Sequence, residues 1–445
     1  MSPRSCRIYR NSPRYIALLS SLWSAAFAEA QMSEEWLARF GPDAPGTWTE
    51  ARGIAVDADG NAFVTGNAQR KTGAAYDLIL LKYSATGELS YVNRLGGSGT
   101  TIGLKVVLDR DNNVVIGGIS GALSSYPFDW DIVIAKYSAD GAPIWSVRYD
   151  GPLHANDTLG AIGVDEKGNI YATGRTAGLP WSEYVTLKYS GTGELLWEDR
   201  YHHPLSGGDD VASALALDSN GNLYVSGTSG GRFGAIKYAP DGTRVWIAES
   251  RGPGWLDVAT RLAVDSNDNV YVGGVSRGTP FDPVDQALII KYDAQGNALW
   301  NQTYRLFGHA DDSVNALAVD RNGDLLVAGT SWPGTWPDCA WLVLKYSSDG
   351  NLLWSDQYQP RSRSHAYGVA VDTRGNAYVT GDADGMTTIK YSLDGERQWR
   401  ATIGSFLTGV GVEVAVQGSS VYATGAASGH VTAQAVTAKY PQDSK

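Results

Sequence analysis

A Lys-Tyr pair recurs through the chain, with its tyrosine at Tyr83, Tyr137, Tyr189, Tyr238, Tyr292, Tyr346, Tyr391 and Tyr440, a mean spacing of about 51 residues. A fixed period of this length marks a solenoid or a propeller, because each unit is one small sheet that cannot bury its own faces alone. Eight residues beyond each of the first seven tyrosines stands another aromatic: Tyr91, Trp145, Trp197, Trp246, Trp300, Trp354 and Trp399. The eighth is absent from the C-terminal end. It stands instead near the beginning, as Trp36 in Trp-Leu-Ala-Arg-Phe.

Each unit holds four short strand-like runs separated by Gly, Asp, Asn and Ser turns. In the fourth unit they span Ala214 to Leu217, Leu223 to Ser226, Gly234 to Tyr238 and Val245 to Glu249, here lettered a, b, c and d. Runs a and b are almost wholly apolar, as strands covered on both faces should be. Run a also carries a small residue two positions before its closing Asp (Ala55, Gly163, Ala216, Ala263, Ala318, Ala370), which lets crowded inner strands approach. Run d carries the tryptophan and more charge and is expected outermost. The displaced Trp36 then belongs to strand d of a last blade whose other three strands come from Val412 to Tyr440. A right-handed β-helix needs no such exchange, and radial repetition leaves only short, protected edges. The expected fold is all-β: an eight-bladed β-propeller of four-stranded antiparallel blades, closed by pairing the N-terminal strand around Trp36 with the C-terminal blade.

The unit Asp-Ser-Asn-Gly-Asn-Leu-Tyr-Val-Ser-Gly at 218 to 227 resembles the bacterial propeller-repeat family called SBBP, and the likeness covers nearly all of the chain beyond its first 28 residues. Gly-Glu-Leu-Leu-Trp at 193 to 197 is similar to the tryptophan-docking repeats of eight-bladed quinoprotein dehydrogenases. Both resemblances imply propellers and neither implies a function, since such motifs are scaffold. The second family's activity goes with a calcium-held cofactor and, in many members, an adjacent-cysteine disulfide.

The first stretch has Arg4, Arg7, Arg10 and Arg14, no acidic residue, and then an apolar run from Tyr15 to Phe27 ending in Ala26-Phe27-Ala28. This is the pattern of a secretory signal, too short to span a bilayer. Residues 1–28 are expected to be removed, with Ala30 as a second cleavage position, leaving 29–445 as one domain of a secreted or periplasmic protein without a membrane span. Of 36 basic residues, four leave with the signal, so 32 remain against 47 acidic ones. That balance repels nucleic acid. Cys6 leaves too, so Cys339 is the last thiol and no disulfide framework exists. A quinoprotein-type dehydrogenase is correspondingly disfavoured.

Alternating strand direction sorts the connections onto two faces. The a–b turns, such as Asp57-Ala-Asp-Gly-Asn61 and Asp320-Arg-Asn-Gly-Asp324, lack the bidentate carboxylate that ends a calcium hand and read as tight turns. The recurring lysine at the end of strand c lies on the same face, where an ion pair with the Asp closing strand a is expected in each blade except the eighth, which has Val416 there. The d–a and b–c loops share the opposite face and vary in length. Eight residues before each a–b turn begins stand Thr49, Thr101, Asp157, Asp210, Asp257, Asp312, Ser364 and Thr408, all with a side-chain oxygen suited to capping a backbone N–H. Asp157, Asp210, Asp257 and Asp312 would make half the channel mouth acidic. All six histidines fall on this face, and His154, His309 and Asp312 form a speculative divalent-metal set. Aromatics there include Trp130, Trp181, Trp255, Trp332 and Trp336. Beside carboxylates they suit carbohydrate, and equally they suit packing of long loops.

The first functional expectation is a noncatalytic, monomeric binding or scaffold module offering a protein or glycan ligand the d–a and b–c loop face, with no cofactor. The alternative is a propeller hydrolase or lyase working through channel-mouth carboxylates, although the chain has no phosphate loop, nucleophile elbow or His-Glu-x-x-His motif.

Overall fold

The structure is a computed structural model and describes residues 29–41, 47–71, 73–122, 129–204, 208–305, 311–332, 339–360, 364–404, 409–428 and 433–443. These form eight sheets, each running a-b-c-d in sequence order except the last. In the last, Trp36–Phe40 lies antiparallel beside Ala433–Pro441, with Trp36 opposite Lys439. The ring is therefore closed by the two chain ends, as the displaced tryptophan requires. No helix among the described residues is long and apolar enough to cross a membrane.

The strands run longer than the apolar pattern suggests, chiefly toward the loop face. Strand a of the fourth blade is Val211–Leu217 and strand b is Leu223–Ser229, because Gly227, Thr228 and Ser229 keep their ladder partners on strand c. One strand is unforeseen. Ala30–Gln31 pairs in parallel with Trp399 and Arg400 on the outer edge of blade seven, making that sheet five-stranded. Met32 is buried beneath this strap in the cluster containing Trp399 and Tyr440.

Neighbouring blades are joined by a repeated seam. The strand d tryptophan donates Nε1–H to a carbonyl in the c–d turn of the next blade: Trp145 to Gly191 at 3.0 Å, Trp246 to Ala294 at 3.0 Å, Trp300 to Ser348 at 3.0 Å. Trp36 makes the same bond to Ala85 at 3.1 Å, so the closing seam has the chemistry of the internal ones. The tryptophan ring covers the turn glycine. Gly242 has φ +91°, and a Cβ there would meet Trp197 at 2.9 Å, so only glycine suits both the left-handed backbone and the ring above it.

The c-strand lysine takes part in the same seam. Lys188 and Lys291 donate to the turn carbonyls of Pro240 and Ser348 at 2.7 and 2.9 Å, the acceptors that Trp197 and Trp300 also use. The expected pairing with the Asp closing strand a occurs in blades two, four, five and six, with Lys136–Asp109 at 2.9 Å and Lys345–Asp320 at 3.0 Å the closest. The expectation of this pair in each of blades one to seven is thus corrected. Lys390 pairs with Asp443 and Lys439 with Glu35, because the inter-blade carbonyl fixes where the ammonium lies and the nearest carboxylate differs by blade.

The a–b turns are self-contained. Asp57 Oδ1 accepts from the N–H of Asp59 and Asn61, and Oδ2 accepts from Asn61 Nδ2 at 2.8 Å; Asp109, Asp165, Asp218, Asp265 and Asp372 repeat the pattern. Burial of Asp109 raises its pKa, but hydrogen bonds from Lys136 and Asn113 outweigh that and hold it below the usual range.

Candidate ligand-binding face

Strand a carries a β-bulge in every blade. The register against strand b shifts around Arg52, Leu104, Gly160, Ser213, Thr260, Asn315, Tyr367 and Val412. A bulge re-aims one side chain and leaves its ladder position unpaired. Two of these side chains reach the next inner strand, Thr260 donating to Val314 O at 2.8 Å and Asn315 to Ala366 O at 3.0 Å. The backbone repeats eight times while the bulged residue is different in every blade. The sequence gives no sign of this ring, since one added residue per strand leaves the apolar pattern intact.

Seven bulged residues line three cavities. Arg52, Leu104, Gly160 and Val412 border one of about 390 Å³ together with Glu50 and Lys105. Ser213 borders one of about 570 Å³, whose outer wall is Trp255. Asn315 and Tyr367 border one of about 490 Å³ at the mouth of blades five to seven. All three fall in the range of small-molecule sites.

The third has the most convergent chemistry. Trp332 and Tyr367 supply aromatic walls, and His365 stacks on Tyr367 with centroids 5.7 Å apart. Asp285, Asp311 and Asp312 bring carboxylates, and Asn315 and Thr330 bring an amide and a hydroxyl joined at 3.0 Å. Asp285 is fixed by Arg277 at 2.5 Å and by Gly278 N–H, and Asp311 Oδ1 accepts from Asp285 N–H at 2.9 Å. His365 is held by Asp382, with Nδ1 3.2 Å from both carboxylate oxygens. Trp332 Nε1 is buried without an acceptor.

The four ordered aspartates are all fully buried, and three of them, Asp157, Asp210 and Asp257, cap their own loops. Asp157 accepts from Gly151 N–H and from Thr176 Oγ1 at 2.6 Å; burial pushes its pKa up, and those bonds only partly offset the rise. Asp210 accepts from His203 N–H at 2.8 Å and Gly230 N–H at 2.7 Å, and Asp257 from Gly252 N–H at 2.7 Å. Beside Asp210, Asp209 is held below the usual carboxylate range by the N–H and hydroxyl of Ser182. Asp312 alone of the four borders the third cavity.

The remaining nominated residues are dispersed. Trp181 and Trp255 are exposed, Trp130 is half-buried, and Trp332 is in the cavity wall. Trp336, His309, His430 and Thr408 lie outside the described residues. His154 is exposed at the loop before strand a of blade three, and hydrogen bonding to Asp150 raises its pKa. Asp312 is in blade six, so three blades separate it from His154 and the two cannot hold one ion. Sequence reasoning missed Tyr367, Asn315, Asp285 and Arg277. The first two could not be told from strand residues, and Asp285 and Arg277 flank an ordinary loop.

A ring of eight antiparallel blades, one of them extended by a short parallel fifth strand, defines a β-propeller. The SBBP β-propeller repeat model matches residues 35–69, 205–234, 246–282 and 360–386, so the chain carries repeats of this family in those segments. It is 29% identical over 157 residues to regulatory protein FlaEY of Caulobacter vibrioides, covering 33% of this chain. Over 109 residues, 21% of the chain, it is 28% identical to the uncharacterized WD repeat-containing protein L264 of Acanthamoeba polyphaga mimivirus. The matched parts span only 14% and 8% of those relatives' lengths. Among solved structures it is similar to Sqt1 from Chaetomium thermophilum, with 11% identity, a TM-score of 0.57, and coverage of 91% of this chain and all of that one. That likeness concerns the fold.

Proposed function

We propose that the protein is an exported, noncatalytic glycan-binding propeller whose ligand enters the cavity bordered by Trp332 and Tyr367. The observation that carries this reading is the junction, in one cavity of about 490 Å³, of two aromatic walls with three carboxylates. A sugar offers an apolar C–H face and a ring of hydroxyl donors. Aromatic faces cover the first, and carboxylates fixed by neighbouring N–H groups accept from the second. The four arginines at residues 4–14 and the apolar run after them support export. Full burial of Asp157, Asp210 and Asp257 in backbone caps favours binding over a hydrolase using those groups.

A glycan array probed with residues 29–445 tests this, with Trp332→Ala as the matched variant and reducing-end release from each hit as the turnover assay. Saturable binding that falls at least tenfold in the variant, without product release, is expected. Binding to no glycan, or equal binding by a folded Trp332→Ala protein, would overturn the site. Product release would transfer it to the hydrolase reading.

A further inference from the structure

Before blades three to six, the residue that follows strand d comes six to eight positions ahead of the buried aspartate opening the next blade. Where the fourth blade begins, that residue is His202, with Nδ1 2.6 Å from Asp210 Oδ2. Before the fifth blade it is Arg251. Before the third blade it is Asp150, an acidic residue where the neighbouring repeats place a histidine or an arginine. Asp131, at the start of strand c in blade two, approaches the same point. One oxygen each from Asp131, Asp150 and Asp157 lie within 4.8 Å of one another.

Three carboxylates this close repel unless cations intervene. Arg148 contacts Asp131 Oδ2, and His154 Nδ1 lies 2.9 Å from Asp150 Oδ2. The pairing of strand c with strand d recurs in blade three as Glu183–Arg200 at 3.6 Å, so Arg148 belongs to the scaffold. What does not recur is Asp131 Oδ1. Asp131 is 0% exposed, and this oxygen has no hydrogen-bond partner. A buried carboxylate oxygen left without a donor is costly, and a metal ion supplies what a donor would.

We infer that Asp131, Asp150 and Asp157 form a divalent-cation site at the junction of blades two and three on the loop face. The donors are all carboxylate oxygens, the set that hard cations of the calcium or manganese type accept. Asp150 is exposed and admits the ion from solvent, while Asp157 is held from behind by Thr176 and Gly151. The ion would tie the d–a loop of blade two to strand c of the same blade, as His202 ties its own loop to Asp210. This site is separate from the glycan cavity, and either proposal stands if the other fails.

Trp130 adjoins Asp131 in sequence and provides a reporter. Residues 29–445 are titrated with terbium under tryptophan excitation, followed by competition with calcium. Saturable sensitised emission that calcium displaces is expected, falling at least tenfold in Asp150→Asn, whose exposed position leaves folding intact. Calcium should also raise the melting temperature of the parent protein and leave that of Asp150→Asn unchanged. Absence of saturable emission, failure of calcium to displace it, or equal emission from Asp150→Asn overturns the site.

Discussion

The two faces of the disc are built from the same four strands and obey different rules. On the turn face, one carbonyl in seven of the eight seams receives a tryptophan N–H and in several seams a lysine as well, and every Asp-Asn turn caps itself the same way. On the loop face, the bulged position holds eight residue types, and the position after strand d changes from Asp150 to His202 to Arg251. A side chain repeated in every blade is constrained by the seam between blades. One that varies while its backbone stays fixed is released from that constraint, and there the ligand chemistry can be placed.

Variants that break the turn face should cost most. Deleting residues 29–41 removes both the blade-seven strap and the closing strand, and cooperative melting should vanish or shift down by tens of degrees; calorimetry measures it. Next, Trp399→Ala empties a 1%-exposed seam site and should destabilise by about 3–5 kcal/mol in denaturant titration. Gly242→Ala, forced to a φ of +91° under Trp197, should cost about 1–3 kcal/mol in the same measurement.

Asp443 sharpens the comparison through pH. Hydrogen bonds from Arg374 and Lys390 hold its carboxyl at about 2, below the ordinary value of 3.8. Its stabilisation is therefore fully present above that ordinary value and is lost as pH falls toward 2. The group is 62% exposed, so solvent screening limits the contribution to about 0.2–1 kcal/mol, and Asp443→Asn should flatten the acid limb of the melting curve by that amount. The smallest effect belongs to the loop face. Trp255→Ala, at a 62%-exposed position, should change stability by under about 0.5 kcal/mol. A larger loss there would mean that the loop face is also scaffold.

Much of the fold was legible because the repeat states it eight times. Trp36 gave the closing strand and its neighbour, and the Asp-x-x-Gly-Asn turns gave the a–b connections. Strand ends were less legible, since the Gly227 to Ser229 segment has turn composition and is kept in the ladder by partners on strand c. The candidate site was legible in part. Position in the repeat brought Asp312 and Trp332 to the correct face, and the cavity gathers both. It could not show that Asp157, Asp210 and Asp257 are turned into their own loops, nor that Asp131 approaches Asp150 and Asp157.

What the sequence determined by itself was periodic: the number of blades, the order of strands, the turn chemistry and the latch between chain ends. Each follows from short-range patterns copied at a fixed interval, which need no knowledge of distant residues. The tertiary structure alone decided the bulged ring, the parallel strap at Ala30–Gln31 and the company each loop side chain keeps. Those depend on how eight twisted sheets meet around one axis, where a one-residue shift in register chooses which polar groups share a cavity.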